Sequence, residues 1–226
     1  MGPAAGSPVP CRPMETTLTL EGVGVTRAGV TILDDIDLEV GRGEVVGVTG
    51  PNGTGKTTLL RVASTLLSAD RGSVTVLGAA AATPAGRRVR PRIGLVGHHA
   101  AISPHLTLAE NLRFHADLSG IDHSLVGVAL AAVGLAGAAD RSAHAASAGM
   151  ARRTDLARVI MADPGLLLLD EPDAGLDDDA IGLVDALVAR TRRRGGGVLI
   201  VSHDAARIGA LCDRVVRIAQ GRLVTS

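Results

Sequence analysis

The sequence predicts an α/β fold: a parallel sheet core wrapped by helices, with an antiparallel β patch on the N-terminal side and an inserted helical subdomain. Three observations carry this. Short apolar runs recur at Val45–Val48, Ile93–Val96, Leu166–Leu169 and Val198–Val201, the form taken by strands buried on both faces. Stretches of helical spacing separate them, and strand–helix alternation builds parallel sheets. Thr17–Val25 and Ile32–Val40 instead alternate apolar and polar residues over part of their length, as antiparallel strands do.

Taken in order, residues 1–15 carry Gly, Pro and Ser without an apolar stretch and are expected to be disordered. They show no signal-peptide or myristoylation pattern, and Met14 is a candidate start. The two alternating strands follow. The Val45–Val48 strand feeds a Gly-rich loop, and Thr57–Ser64 is the helix leaving it. Ser73–Leu77 is a strand, Pro84–Arg92 a basic loop containing proline, and Ile93–Val96 a buried strand. Thr107–Leu118 is a helix, with Thr107 as its cap and Glu110 three residues later completing a capping box. Ser124–Leu135 is a second helix, Ala139–Ser147 a loop and Gly149–Ala162 a third helix, so the helical subdomain covers about residues 98–160. After the Leu166–Leu169 strand, the helix over Asp178–Arg194 stops at Gly195-Gly196-Gly197. Asp204 caps a helix running to Cys212. Val215–Ile218 and Arg222–Thr225 form a hairpin around Ala219-Gln220-Gly221.

Composition narrows the function. Apolar residues make up 46% of the 226, but Trp and Tyr are absent and Phe114 is the sole Phe, so the core is built from Val, Leu, Ile and Ala. Acidic and basic residues balance at 23 each, which gives no basic face for nucleic acid. Without aromatic platforms, single-stranded nucleic acid is excluded as well. Cys11 and Cys212 make neither a disulfide framework nor a metal spacing, consistent with a reduced, cytoplasmic setting. The longest weakly apolar run, Val126–Ala139, falls short of the ~20 residues that cross a bilayer.

Lys56 is the chain's only lysine; the other 22 basic residues are arginines. It sits in Gly50-Pro51-Asn52-Gly53-Thr54-Gly55-Lys56-Thr57, which matches G-x-x-x-x-G-K-[ST], the P-loop. Its glycines let the backbone turn and approach a ligand, and successive N–H groups then form an anion nest at a helix N-terminus. Lys56 is positioned for the β- and γ-phosphates, and the Thr57 hydroxyl for Mg²⁺. The chance alternative is a Gly-rich turn, but a strand before and a helix after favour the P-loop.

Leu166-Leu167-Leu168-Leu169-Asp170-Glu171 reads as a Walker B strand. Asp170 is expected to face magnesium, and Glu171 to polarise the water that attacks the γ-phosphate. The alternative is a buried strand ending in a polar turn at Pro172. His203, after the next strand, opens on the same sheet edge and is a candidate contact to the γ-phosphate and the attacking water. His98-His99 is the only adjacent pair of histidines, and a shared metal is not expected there.

In this combination the residues from Thr17 to Leu223 resemble the ATP-binding subunit of ABC transporters. The resemblance implies Gly50 to Thr58 as Walker A, Leu166–Asp170 as Walker B, Glu171 as catalytic carboxylate and His203 as switch histidine. It implies Ala174-Gly175-Leu176-Asp177 as the D-loop, with Asp177 near the facing subunit. It also implies ATP and Mg²⁺ as ligands, and a head-to-tail dimer, homomeric or heteromeric, that sandwiches two ATP molecules. An integral membrane transporter subunit would be the partner, with this chain peripheral on the cytoplasmic face of the cell membrane.

Three positions depart from the family. The signature Ser-Gly-Gly-Gln stands here as Ser147-Ala148-Gly149-Met150. Ser147 and Gly149 keep the hydroxyl and one close backbone approach to the facing subunit's nucleotide, while Ala148 adds a methyl and Met150 removes an amide. The Q-loop glutamine is replaced by His98 or His99, depending on alignment; a neutral imidazole is a poor ligand for magnesium but can hydrogen-bond phosphate or water. The aromatic that stacks on adenine is missing near Arg27 or Ala28, and Arg27 either lays its guanidinium on the base or is a solvated hairpin residue. Three stretches look like the haem-exporter branch associated with cytochrome c maturation: Gly97-His98, the run Leu106–Phe114, and Ser147-Ala148-Gly149. The expected function is ATP hydrolysis energising export through a separate membrane subunit, with haem as candidate cargo. The alternative is a soluble or regulatory ABC-type ATPase with weak hydrolysis.

Overall fold

A computed structural model describes residues 16–173 and 178–224. The expected extension 1–15, the expected D-loop residues Ala174 to Asp177, and Thr225 at the end of the expected hairpin lie outside the described residues. In chain order the elements are β1 (Thr16–Arg27), β2 (Val30–Gly41), β3 (Val45–Thr49), α1 (Lys56–Ala63), β4 (Arg71–Val76), β5 (Ala79–Ala80), α2 (Pro84–Val89), β6 (Ile93–Val96), α3 (Leu108–Ser119), α4 (Ser124–Ala132), α5 (Ala148–Ala162), β7 (Leu166–Asp170), α6 (Asp178–Arg193), β8 (Gly197–Val201), α7 (Ala205–Leu211), β9 (Arg214–Ala219) and β10 (Arg222–Val224).

Two sheets form. One is antiparallel, in the order β2-β1-β4-β5; the other runs β10-β9-β3-β8-β7-β6, with only the β9–β10 pair antiparallel. Side chains alternate across a strand, and β7 shows the consequence. Leu166 and Leu168 pack in the core shared with α1 and the antiparallel sheet; Leu167 and Leu169 pack in the core shared with α3, α4, α5 and α6. All four are fully buried, which is why the run carries no polar residue until Asp170. Shortening Leu168 to alanine removes packing worth about 2–5 kcal/mol.

Local chemistry sets the helix ends. Thr107 accepts from the Glu110 N–H at 3.1 Å while Glu110 accepts from the Thr107 N–H at 2.7 Å, the reciprocal box expected at the start of α3. Asp204 accepts from the Arg207 N–H at 3.0 Å and starts α7. Several segments differ from the sequence expectation: β5 is an added short strand, and the expected Ala139–Ser147 loop holds a 3₁₀ turn at Ala143–Ala145. Pro84–Arg92 is a helical turn followed by a 3₁₀ turn, not a loop: Thr83 caps the Gly86 N–H at 3.2 Å, and Pro84 supplies a preset φ at the first helical position. The helix from Ser124 stops at Ala132, because Gly134 takes a left-handed φ of 73° and lets the chain turn away.

Parallel strands place all their carboxyl ends on one edge. The loops after β3, β6, β7 and β8 therefore open together, as ligand-binding loops of α/β sheets do.

Candidate active site

A cavity of about 570 Å³ opens on that edge. Asn52, Gly53, Gly55, Lys56, Thr57 and Thr58 of the glycine loop form one wall of its lining, and Asp170, Glu171, His203 and His98, from the ends of β6, β7 and β8, form a second; Ile32 completes the lining.

The first wall is backbone. Gly50 and Gly55 have φ of 150° and 102°. A side chain at Gly50 would place its Cβ 2.3 Å from the Ile218 carbonyl, and one at Gly55 2.9 Å from the Ile32 carbonyl. The loop is thus restricted to glycine by both conformation and space, and it leads directly into α1, whose first N–H groups have no intrahelical partner. Thr54 braces it by donating to the Pro51 carbonyl at 2.8 Å. Lys56, only 7% exposed, folds back over the loop and donates to the Gly50 and Pro51 carbonyls at 2.7 and 2.9 Å. An ammonium held by neutral carbonyls gains more from an anion, because charge-assisted hydrogen bonds are the stronger kind. These features suit a phosphate chain. The Thr57 hydroxyl donates to Asp170 at 2.9 Å, which brings a hydroxyl and a buried carboxylate together as hard oxygen donors suited to Mg²⁺.

The second wall is built from side chains after β7 and β8. Glu171 has a left-handed φ of 47°, a conformation that costs a non-glycine residue about 1–3 kcal/mol. Its N–H donates to the Val201 carbonyl at 2.9 Å. Its carboxylate accepts from the His203 N–H at 3.3 Å and meets His203 Nδ1 at 2.8 Å, so the two predicted residues already touch. Arg207 on α7 binds Asp173, two residues after Glu171, at 2.6 Å and also pairs with Asp185 on α6. Those hydrogen bonds, Asp185 first, raise the Arg207 pKa above the usual arginine value.

The other expected site residues fall elsewhere. His98, not His99, lines the cavity; the two rings pack edge to face at 4.9 Å, with the second imidazole outside the lining. Of the two histidines between which the alignment left the Q-loop position open, His98 is the one at the cavity wall. Arg27 does not line the cavity; its guanidinium pairs with Asp70 at 3.1 Å, and Ile32 takes the wall position that sequence reading missed. No local pattern marks Ile32, which is one apolar residue in a strand. Ser147 caps α5 by accepting from the Met150 N–H at 3.2 Å, and neither it nor Gly149 lines this chain's own cavity.

This fold with this edge defines a P-loop ATPase, and comparison with known proteins gives its family. Residues 33–174 match the family described as ABC transporter. The chain is similar to the zinc import ATP-binding protein ZnuC of Pseudomonas fluorescens, at 38% identity over 88% of this chain and 72% of that protein. It is also similar to the Fe(3+) ions import ATP-binding protein FbpC of Streptomyces coelicolor, at 39% identity over 92% of this chain and 61% of that one. A solved structure titled as the ATP binding subunit of an ABC transporter superposes with a TM-score of 0.86 at 26% identity, covering 93% of this chain and 89% of that chain. The chain belongs to the ABC transporter family. It is an ATP-binding subunit of that family, an ATPase that uses ATP and Mg²⁺ and works with a membrane subunit. Among the described residues no helix is long and apolar enough to cross a membrane.

Proposed function

We propose that this chain energises transport by hydrolysing ATP at the cavity between the Gly50–Thr58 loop and the Glu171–His203 pair, from the cytoplasmic face of the membrane. The observation that carries the reading is the contact between Glu171 and His203 in a cavity that they line together with a lysine held on a glycine loop. The backbone N–H groups of Gly53 to Thr57 hold the phosphate chain, and Lys56 leaves the Gly50 and Pro51 carbonyls for phosphate oxygens. Thr57 and Asp170 would hold Mg²⁺, which neutralises phosphate charge when bound. Glu171 takes the proton of the attacking water, and His203 fixes the orientation of that carboxylate and receives part of its charge. His98 stands where it can hydrogen-bond the terminal phosphate or the water.

Ser147 and Gly149 do not line the chain's own cavity, which supports their serving the nucleotide of a facing subunit, the role also assigned to Asp177. Residues 98–160 then act as the helical subdomain that carries this segment to the partner. Arg27 has no part in holding the base in this reading.

Export, with haem as cargo, is a second reading. It rests on Gly97-His98, the Leu106–Phe114 run and Ser147-Ala148-Gly149. Similarity to proteins named for zinc and Fe(3+) import favours a metal ion instead. Sequencing the membrane subunit that co-purifies with the tagged chain decides between them.

The reading is tested with Glu171→Gln. Removing the base lowers MgATP turnover by about 10²–10⁴-fold, leaves ATP binding intact, and traps an ATP-bound dimer visible by light scattering. A variant that turns over normally, or stays monomeric with ATP, contradicts it.

A further inference from the structure

Arg152, on α5, is only 7% exposed, and its guanidinium reaches backbone on both sides of the catalytic wall. Nη1 donates to the Gly97 carbonyl, and Nη2 donates to the Pro172 carbonyl at 3.2 Å. Gly97 precedes His98 and Pro172 follows Glu171, and both of those side chains line the cavity. Farther along α5, Arg158 donates to the Leu95 carbonyl at 2.7 Å and pairs with Asp155. The helix therefore grips the end of β6 at two points, and Arg152 alone of these two arginines also reaches the turn after β7.

A buried guanidinium needs partners. Pairing with a nearby carboxylate, as Arg158 does, would satisfy it without involving the site. Arg152 instead spreads its planar fork over two carbonyls from separate loops, a span that a point-charge ammonium does not match. The left-handed Glu171 needs such support, since a strained conformation persists only where its surroundings over-determine it. Its own N–H is held by Val201, and the carbonyl of the next residue by Arg152.

We propose that Arg152 is a positioning residue for ATP hydrolysis, fixing the Gly97–His98 and Glu171–Pro172 turns at one spacing so that the Glu171 carboxylate stays set across the cavity from the glycine loop. This rests on the reading that Glu171 is the base. Arg152 itself does not line the cavity.

The test compares the purified full chain with Arg152→Gln, Arg152→Lys and Glu171→Gln, measuring MgATP turnover, ATP affinity by calorimetry and the unfolding midpoint. Arg152→Gln lowers kcat by about tenfold or more, since small misplacements of a catalytic group are costly. ATP affinity stays within about twofold, because the glycine loop is untouched. Arg152→Lys, able to hold one carbonyl, falls between Arg152→Gln and wild type. Wild-type kcat in both Arg152 variants overturns the inference, as do parallel losses of kcat and ATP affinity. Failure of both variants to fold also overturns it, because the guanidinium is then a determinant of the fold. Turnover that depends on Glu171 but not on Arg152 sinks this inference alone; turnover indifferent to Glu171→Gln sinks the underlying reading with it.

Discussion

The two walls of the cavity line one space but are built by different means. The Gly50–Thr57 wall is one contiguous loop whose conformation is imposed by its own glycines and whose single charged side chain is satisfied by its own carbonyls. The Glu171 wall is assembled from β6, β7, β8 and α5, and its central residue holds a strained backbone through contacts up to 32 residues away in sequence. A wall made of local backbone binds whatever fits it. A wall made of converging side chains works only while distant elements keep their spacing. Nucleotide affinity therefore belongs to the first and turnover to the second.

Substituting Lys56 by alanine strikes the wall where the contrast is sharpest and has the largest expected effect on ATP binding. Losing charge-assisted hydrogen bonds worth about 1.5–3 kcal/mol weakens ATP binding by roughly 10–100-fold, and turnover falls with it. Calorimetric titration with ATP checks this; unchanged affinity would break the division of labour. Next in size is the pair His98→Gln and His99→Gln. Only His98 lines the cavity, so its replacement changes kcat by about three- to tenfold with little change in ATP affinity, whereas the neighbouring replacement changes neither. Steady-state kinetics on both variants decides, and equal effects would place the second wall wrongly.

The smallest effect lies away from both walls. His115 on α3 has a buried Nε2 without a hydrogen-bond partner among the described residues. Burial first, then the positive charge of Arg158, lowers its pKa to about 4. In the unfolded chain histidine titrates near ~6.5. Above that pH neither state carries the proton and the full stability is present. As pH falls from 6.5 towards 4 the unfolded chain takes up a proton that the folded one refuses, and stability declines. For this half-buried ring the expected loss is about 1 kcal/mol after allowing for solvent screening. Urea unfolding at pH 7.5 and 4.5 reads it: the wild type loses more than His115→Leu over that interval, with ATP turnover at pH 7.5 alike in both.

The same contrast governs what a reader of the chain can find. Gly50 to Thr58, Asp170 and Glu171 were legible because each rests on neighbouring residues: a Gly spacing, or an unbroken Leu run ending in two acids. His98 and His99 were not separable, since both follow the same strand and only the packed loop selects one. The choice for Arg27 between the base and solvent is not readable locally, because its partner, Asp70, lies 43 residues away. Pro84–Arg92 reads as a loop in sequence because proline and arginines hide the Thr83 cap.

By itself, then, the sequence determined the order of the strands and helices apart from β5 and α2, the capping box of α3 and the phosphate loop, because hydrophobic periodicity, caps and glycine conformations act over a few residues. Tertiary structure alone decided which histidine faces the cavity, that Ile32 closes it, and that Arg152 spans the turns beside His98 and Glu171. Those outcomes depend on which strands become neighbours, and contacts between distant segments leave no mark within any one of them.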